Sequence, residues 1–388
     1  MMTAQAHLER RAGGPAVSDR PWPQRYQMLD SWRGLAALCI ALYHVTGSHL
    51  WFGQSTVIIF FVISGYCITS AAETGLARRY RLREFMGRRL RRIYPPYLFS
   101  LLFFMLTRVV KLVVGAGNEL LRSPLVYLQN VTMTQWTTLL GHPQPANENP
   151  TLLVGAYWSL NYEEQFYLLM GLLMSTAAGR GFRLKHFVLG LLGLSLLWNA
   201  LFPFVACGLF IDYWAHFALG AVVFHRLCRP MPRWLRWSTD AGLVALFLAA
   251  VWLARLRPTT GQRSAYLELA VAAGFAIVLV LLRSFDESYR RTVVGRVLAK
   301  LGLISYSLYL THQFNIILTR TLLTKLLPPA TPLAILIAAQ LAILLTVAVA
   351  FWYWCERPFL NVNRRDVPAA RRAAPRPALV PQTGHSSM

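Results

Sequence analysis

Apolar residues run through this chain in long blocks, and polar residues collect between them. The blocks predict ten helices, roughly at 29–50, 55–73, 94–114, 154–178, 187–205, 207–225, 238–256, 264–282, 301–321 and 331–352. Each is close to the ~20 residues that a bilayer crossing needs. The fifth and sixth are separated only by Val205–Ala206–Cys207, just after Pro203. The fold class that follows is all-α, a polytopic membrane protein with about ten transmembrane helices. No internal repeat is evident.

Charge orients the array. With the N-terminus in the cytoplasm, 30 of the 39 Lys and Arg residues fall in cytoplasmic segments, eight of them in Arg78–Arg92. The positive-inside rule then puts both termini in the cytoplasm. The other nine are Arg33, Arg108, Lys111, Arg122, Arg255, Arg257, Arg263, Arg320 and Lys325. Composition agrees: the 388 residues are 55% hydrophobic and only 14% charged, against about 25% charged in soluble domains. The net charge of +23 is clustered between apolar blocks. That pattern suits topology and contact with membrane lipids rather than nucleic acid.

Residues 1–28 do not read as a cleavable signal peptide, so the first helix is expected to be an uncleaved anchor behind a cytoplasmic segment. The membrane domain is expected to cover 29–360. The stretch 361–388, rich in Arg, Pro and Ala, reads as a disordered tail. Cys39, Cys67, Cys207, Cys228 and Cys355 form no CxxC pair and no disulfide framework. The sequence also lacks GxSxG, HExxH, Walker A and GxGxxG motifs. It therefore gives no metal site and no bound cofactor.

The candidate chemistry begins in the first block. Arg33 and His44 are eleven residues apart, so they share one helix face, separated by about 16 Å along the axis. Such residues are costly inside a bilayer and mark function by default. His44 is the candidate general base. In FFVISGYCIT, Ser64 and Tyr66 are candidate cavity residues, and Ser64-Gly65 suits equally a close helix contact. In REFMGRRLRRIYPPYL, Arg88, Arg89, Arg91 and Arg92 suit either donor phosphates or anionic lipid headgroups. In YWSLNYEEQFYLL, Trp158 is a cavity candidate, Ser159 is expected to cap the helix, and Glu163 is expected to meet His44 or Arg33. Asp212 and His216, at i and i+4, are expected to satisfy one another or to face a polar cavity. Tyr309 and His312 in ISYSLYLTHQF suit an acceptor site or a hydrogen-bonded helix contact. Glu356-Arg357-Pro358 reads as the anchor of the last helix. The long segment 115–153, with His142 and Asn147–Glu148–Asn149, is long enough to cover a site.

Together these segments resemble acyltransferase family 3, bacterial integral membrane O-acyltransferases that modify surface polysaccharides, lipopolysaccharide and other glycans. The resemblance runs from Leu29 to about Leu360. It rests on the Arg-x10-His of the first helix, FFVISGY, RRLRRIYP, WSLNYEEQFYL, SYSLYLTH and the terminal ERPF, in the family's order. It implies a core of roughly ten helices in the bacterial inner membrane. It also implies an acyl-CoA donor, commonly acetyl-CoA, drawn from the cytoplasm and a carbohydrate or lipid-linked glycan acceptor. Arg33, His44 and Glu163 fall on the family's functional positions. Ser55-Thr56-Val57 departs from the Gly-Val-Asp or Gly-Val-Glu that often precedes FFV. The 28 residues after the core suggest the stand-alone form, without an added esterase-like domain. In the mechanism this implies, His44 deprotonates a sugar hydroxyl that attacks the thioester. Arg33 and the basic segment hold the donor, and Glu163 orients or charges the histidine. The rival reading is a transporter whose polar residues line a solute pathway.

Overall fold

The computed structural model describes residues 26–47, 53–113, 122–180, 184–258 and 263–360. Within them the regular structure is helical, and a single isolated bridge pairs Gln144 with Ala206. The helices are α1 (Met28–Val45), α2 (Gly53–Ala77), α3 (Leu82–Val113), α4 (Pro124–Thr132), α5 (Thr137–Gly141), α6 (Trp158–Arg180), α7 (Leu184–Leu201), α8 (Trp214–Cys228), α9 (Arg233–Leu256), α10 (Ala265–Leu282), α11 (Asp286–Arg291), α12 (Val293–Leu303), α13 (Ser305–Leu326) and α14 (Leu333–Phe351). The sequence-predicted tail 361–388 lies outside the described residues.

Each of the ten apolar blocks is helical, but fewer qualify as membrane spans than the pattern predicts. Six described helices are long and apolar enough to cross a membrane: α2, α3, α7, α9, α10 and α14. A seventh joins them if α12 and α13, bent by 66° at Ile304, count as one span. The shortfall has a physical cause. α1 and α6 carry Asp30, Arg33, Glu163 and Glu164, which lower their hydropathy, and α8 has only 15 residues. α1 and α6, the two that fall short through their charged residues, thus carry polar groups that matter below.

Two glycine contacts fix the centre of the bundle. Lipid offers helices little hydrophobic reason to associate, so small residues that admit a neighbouring backbone decide where they touch. A Cβ on Gly65 of α2 would lie 1.9 Å from the Phe217 carbonyl oxygen, and one on Gly220 of α8 would lie 1.9 Å from the Val62 oxygen. α2 and α8 therefore meet backbone to backbone. A Cβ on Gly302 would lie 2.0 Å from the Asp30 oxygen, which seats α12 against α1 in the same way. The height of α1 is set by a distant carboxylate. Asp286 accepts from the Gln27 and Met28 amides at 3.1 and 2.7 Å, two of the donors that a helix start leaves unpaired.

Elsewhere local chemistry bends the chain toward the centre. Pro95 and Pro96 remove two amide donors from α3. One turn before them the Tyr306 hydroxyl donates to the Ile93 carbonyl at 3.0 Å, drawing α13 onto this part of α3. α14 ends in a π-helical turn, Trp352–Glu356, which turns Glu356 inward to 2% exposure. The segment ahead of α6 is tied by Asn130. Its Nδ2 donates to the Val126 and Thr151 carbonyls, and its Oδ1 accepts from Gln135 and Leu153.

Candidate active site

One face of α1 has two chemically different ends. At the Arg33 end, α1, α2, α3, α6 and α13 enclose a cavity of about 90 Å³. Arg33, Arg89 and Arg92 supply its cations and Glu163 its carboxylate, and Ser64, Ser159, Tyr167, Ser305, Tyr306 and Tyr309 add hydroxyls to its wall. Glu163 Oε1 accepts from the Tyr167 hydroxyl at 2.8 Å and from Ser64 Oγ at 3.3 Å. Arg89 lies 5.7 Å from the Tyr167 ring centroid. Arg92 stands in the field of Glu163 and of the buried Glu356, which itself accepts from Ser307 Oγ at 2.5 Å. The three guanidinium groups thus outnumber the two carboxylates, leaving an excess of positive charge around open space. That arrangement suits an anion with several oxygens.

At the other end of α1 stand two imidazoles. The His44 ring lies 5.1 Å from that of His312, and His312 lies 5.8 Å from Tyr309. Tyr309 is the partition, since it also lines the arginine cavity. Its hydroxyl contacts Ser159 Oγ at 2.7 Å and donates to the Ala156 carbonyl. The Ala156 amide in turn donates to Gln313 Oε1 at 2.5 Å, which locks the start of α6 to α13. At about 90 Å³ the cavity holds a few water molecules. Any longer occupant reaching from Arg33 to His44 has to displace Tyr309.

The structure therefore brings together Arg33, Ser64, Arg89, Arg92, Glu163 and Tyr309, and separately His44 with His312. Several sequence expectations are corrected. Of the two partners foreseen for Glu163, it shares a cavity with Arg33; no hydrogen bond joins it to His44 among the described residues. Ser159 does not cap α6, because the helix already begins at Trp158; its hydroxyl meets that of Tyr309 instead. Within the arginine run, Arg89 and Arg92 turn inward at i, i+3, whereas Arg88 and Arg91 are exposed and Arg88 lies over the Tyr80 ring. Tyr66 is a packing residue, with its hydroxyl 3.1 Å from Cys228 Sγ and its ring edge-on to Tyr26 and Phe224. Trp158 sits in an aromatic cluster with Phe61, Tyr162 and Tyr213.

Asp212 and His216 do not pair. Asp212 lies in a 3₁₀ turn before α8, where its carboxylate accepts from Tyr162, Trp198, Cys207 and Gly208. Sequence reading missed Tyr167, which its i+4 spacing from Glu163 could have signalled. It also missed the inward Glu356, for which the sequence holds no such sign because the π turn creates its position.

Over 158 residues the chain is 32% identical to the O-acetyltransferase OatA of Staphylococcus aureus strain NCTC 8325 / PS 47, covering 39% of this chain and 25% of that protein. Over 165 residues it is 30% identical to the putative O-acetyltransferase SACOL0978 of Staphylococcus aureus strain COL, covering 38% of this chain and 24% of that protein. The chain thus spans about a quarter of the length of these curated relatives. No solved structure matches it. The family described as an acyltransferase domain matches residues 26–355, a range that holds the arginine cavity and the histidine pair alike, and this multi-pass membrane chain belongs to that family.

Proposed function

We propose that this protein moves an acyl group, acetyl by analogy with its O-acetyltransferase relatives, from acyl-CoA to a hydroxyl of a carbohydrate such as an exopolysaccharide, lipopolysaccharide or other glycan. The observation that carries the reading is the two-ended α1, with an arginine cavity at Arg33 and an imidazole pair at His44. CoA is rich in phosphate, and Arg33, Arg89 and Arg92 suit its oxygens. Ten crossings with both termini in the cytoplasm of a bacterial inner membrane turn the arginine end toward the cytosolic donor and the histidine end toward the glycan.

In this reading the pantetheine arm passes Tyr309 and presents its thioester near His44. His44 takes the proton of the acceptor hydroxyl. The alkoxide oxygen bonds to the thioester carbonyl carbon, the carbon–sulfur bond breaks, and CoA leaves as the thiol with the proton that His44 returns. Glu163 holds Tyr167 and Ser64 and balances part of the arginine charge. General-base action of this kind contributes about 10²–10⁴-fold, and fixing the two substrates across the bundle supplies much of the rest.

The test is transfer of labelled acyl from acyl-CoA to glycan in membranes, with wild type and His44→Ala compared at equal insertion. Loss of transfer in His44→Ala is expected. Unchanged transfer would overturn the role given to His44, and absence of any acyl transfer by wild type would overturn the proposed activity itself.

A further inference from the structure

Two buried polar atoms of α13, one of them on the histidine beside His44, have no hydrogen-bond partner among the described residues. His312 Nδ1 lies 2.8 Å from the Tyr309 carbonyl oxygen and 3.2 Å from that of Leu308. A carbonyl only accepts, so in the neutral ring Nδ1 carries the hydrogen and Nε2 is a bare lone pair. That Nε2 is buried and unpartnered, on the ring edge away from its own backbone. One turn further along α13, Asn315 Nδ2 is a buried donor that is also unpartnered, on a residue only 8% exposed. An acceptor and a donor left open at i and i+3 of one helix are expensive unless something binds them.

Asn315 also lines a second, larger cavity, a groove of about 910 Å³ between α3, α13 and α14. Its walls are largely apolar, and Thr311 and Gln313, which flank His312 in sequence, open onto it. Arg108, Lys111 and Lys325 also line it, and Lys325 is ten residues beyond Asn315 on the same helix, about 15 Å away. His312 and Asn315 themselves offer a ligand hydrogen bonds.

We infer that His312 Nε2 and Asn315 Nδ2 form the acceptor subsite, reached through this groove, and that its ligand is a sugar ring bearing neighbouring hydroxyls. One hydroxyl donates to His312, a second accepts from Asn315, and the hydroxyl to be acylated faces His44. A hydroxyl is the group that satisfies both orphans, since it donates and accepts. The inference rests on His44 being the base of an acyl transferase, and it deepens that reading by naming the residues that select the acceptor.

The experiment uses the full chain and a panel of methyl hexopyranosides with their monodeoxy analogues as acceptors. Wild type is expected to lose about 10- to 100-fold in kcat/KM when the hydroxyl next to the acylated one is deleted. Asn315→Leu is expected to lose that discrimination, and Asn315→Ser, which keeps a donor, to retain it. Discrimination in Asn315→Leu as strong as in wild type overturns the subsite. Saturation-transfer NMR with the same glycosides reads sugar binding on purified protein without catalysis. Sugar binding that depends on Asn315, in a protein that transfers no acyl group, leaves the subsite standing and overturns the activity. Acyl transfer and sugar binding that are both indifferent to Asn315 overturn the subsite alone.

Discussion

Arginine enters the bundle at Arg263 and around the Arg33 cavity, and the two places could hardly differ more. Arg263 is 1% exposed, and its guanidinium is fully engaged. It donates to Glu268 at 3.5 Å, to Asn199 Oδ1 at 3.1 Å, to the Asp212 carbonyl at 3.3 Å and to the Val205 carbonyl, and it lies over the Tyr213 ring. Each Asp212 carboxylate oxygen beside it accepts at least two hydrogen bonds. At the Arg33 cavity, three guanidinium groups face open space instead, and neither Arg33 nor Arg92 has an ion pair among the described residues. A saturated charge network has no capacity left for a ligand and acts as a tie between segments. An unsaturated one is held apart by its neighbours and keeps its capacity for something that arrives. The contrast separates architecture from chemistry where sequence alone shows only arginines in apolar surroundings.

The contrast breaks most decisively at Arg263. Arg263→Met leaves Glu268 and the Asp212 shell without their cation and is expected to cost about 3–5 kcal/mol. Thermal unfolding in detergent checks it, and an unchanged midpoint would remove the distinction between the two regions. Arg33→Ala should do the reverse, lowering acyl transfer by at least about 100-fold with little change in that midpoint. A fall in stability to match the fall in activity would make Arg33 a structural tie as well.

Gly65→Ala probes the frame that holds the cavity. The new methyl meets the Phe217 backbone, and the expected loss is about 1–3 kcal/mol, read from the same unfolding curves. Arg92→Gln should raise the KM for acyl-CoA by about tenfold with kcat nearly unchanged. Arg88→Gln, on the exposed side of the same helix, should change neither constant. Equal effects at 88 and 92 would point to a diffuse lipid-facing patch instead of a donor site.

Much of the fold was legible because a bilayer imposes length and polarity on each helix separately. The ten apolar blocks all became helical, and Arg33, His44, Ser64, Glu163, Tyr309 and His312 were recognisable as polar residues in costly places. Which of them meet was less legible. The i, i+4 logic that paired Asp212 with His216 fails because the chain at Asp212 is a 3₁₀ turn. The arginine run offered four equivalent cations, and only the packing of α3 against α6 and α13 selects Arg89 and Arg92. Asn315 drew no notice at all, since a lone Asn in an apolar helix has no signature until its amide is seen without a partner.

What the sequence by itself determined is therefore whatever each segment settles alone: helicity, candidate crossings, the shared face of Arg33 and His44, and the distance between them along α1. What only the tertiary structure decided is which charges are saturated, that Glu163 joins the arginine end, and that a second histidine stands beside His44. These depend on backbone contacts at Gly65, Gly220 and Gly302, on Asp286 gripping the start of α1, and on a π turn that drives Glu356 inward. Periodicity and hydropathy are properties of one helix. Saturation of a buried charge belongs to all the segments that converge on it, and becomes visible only once they have packed.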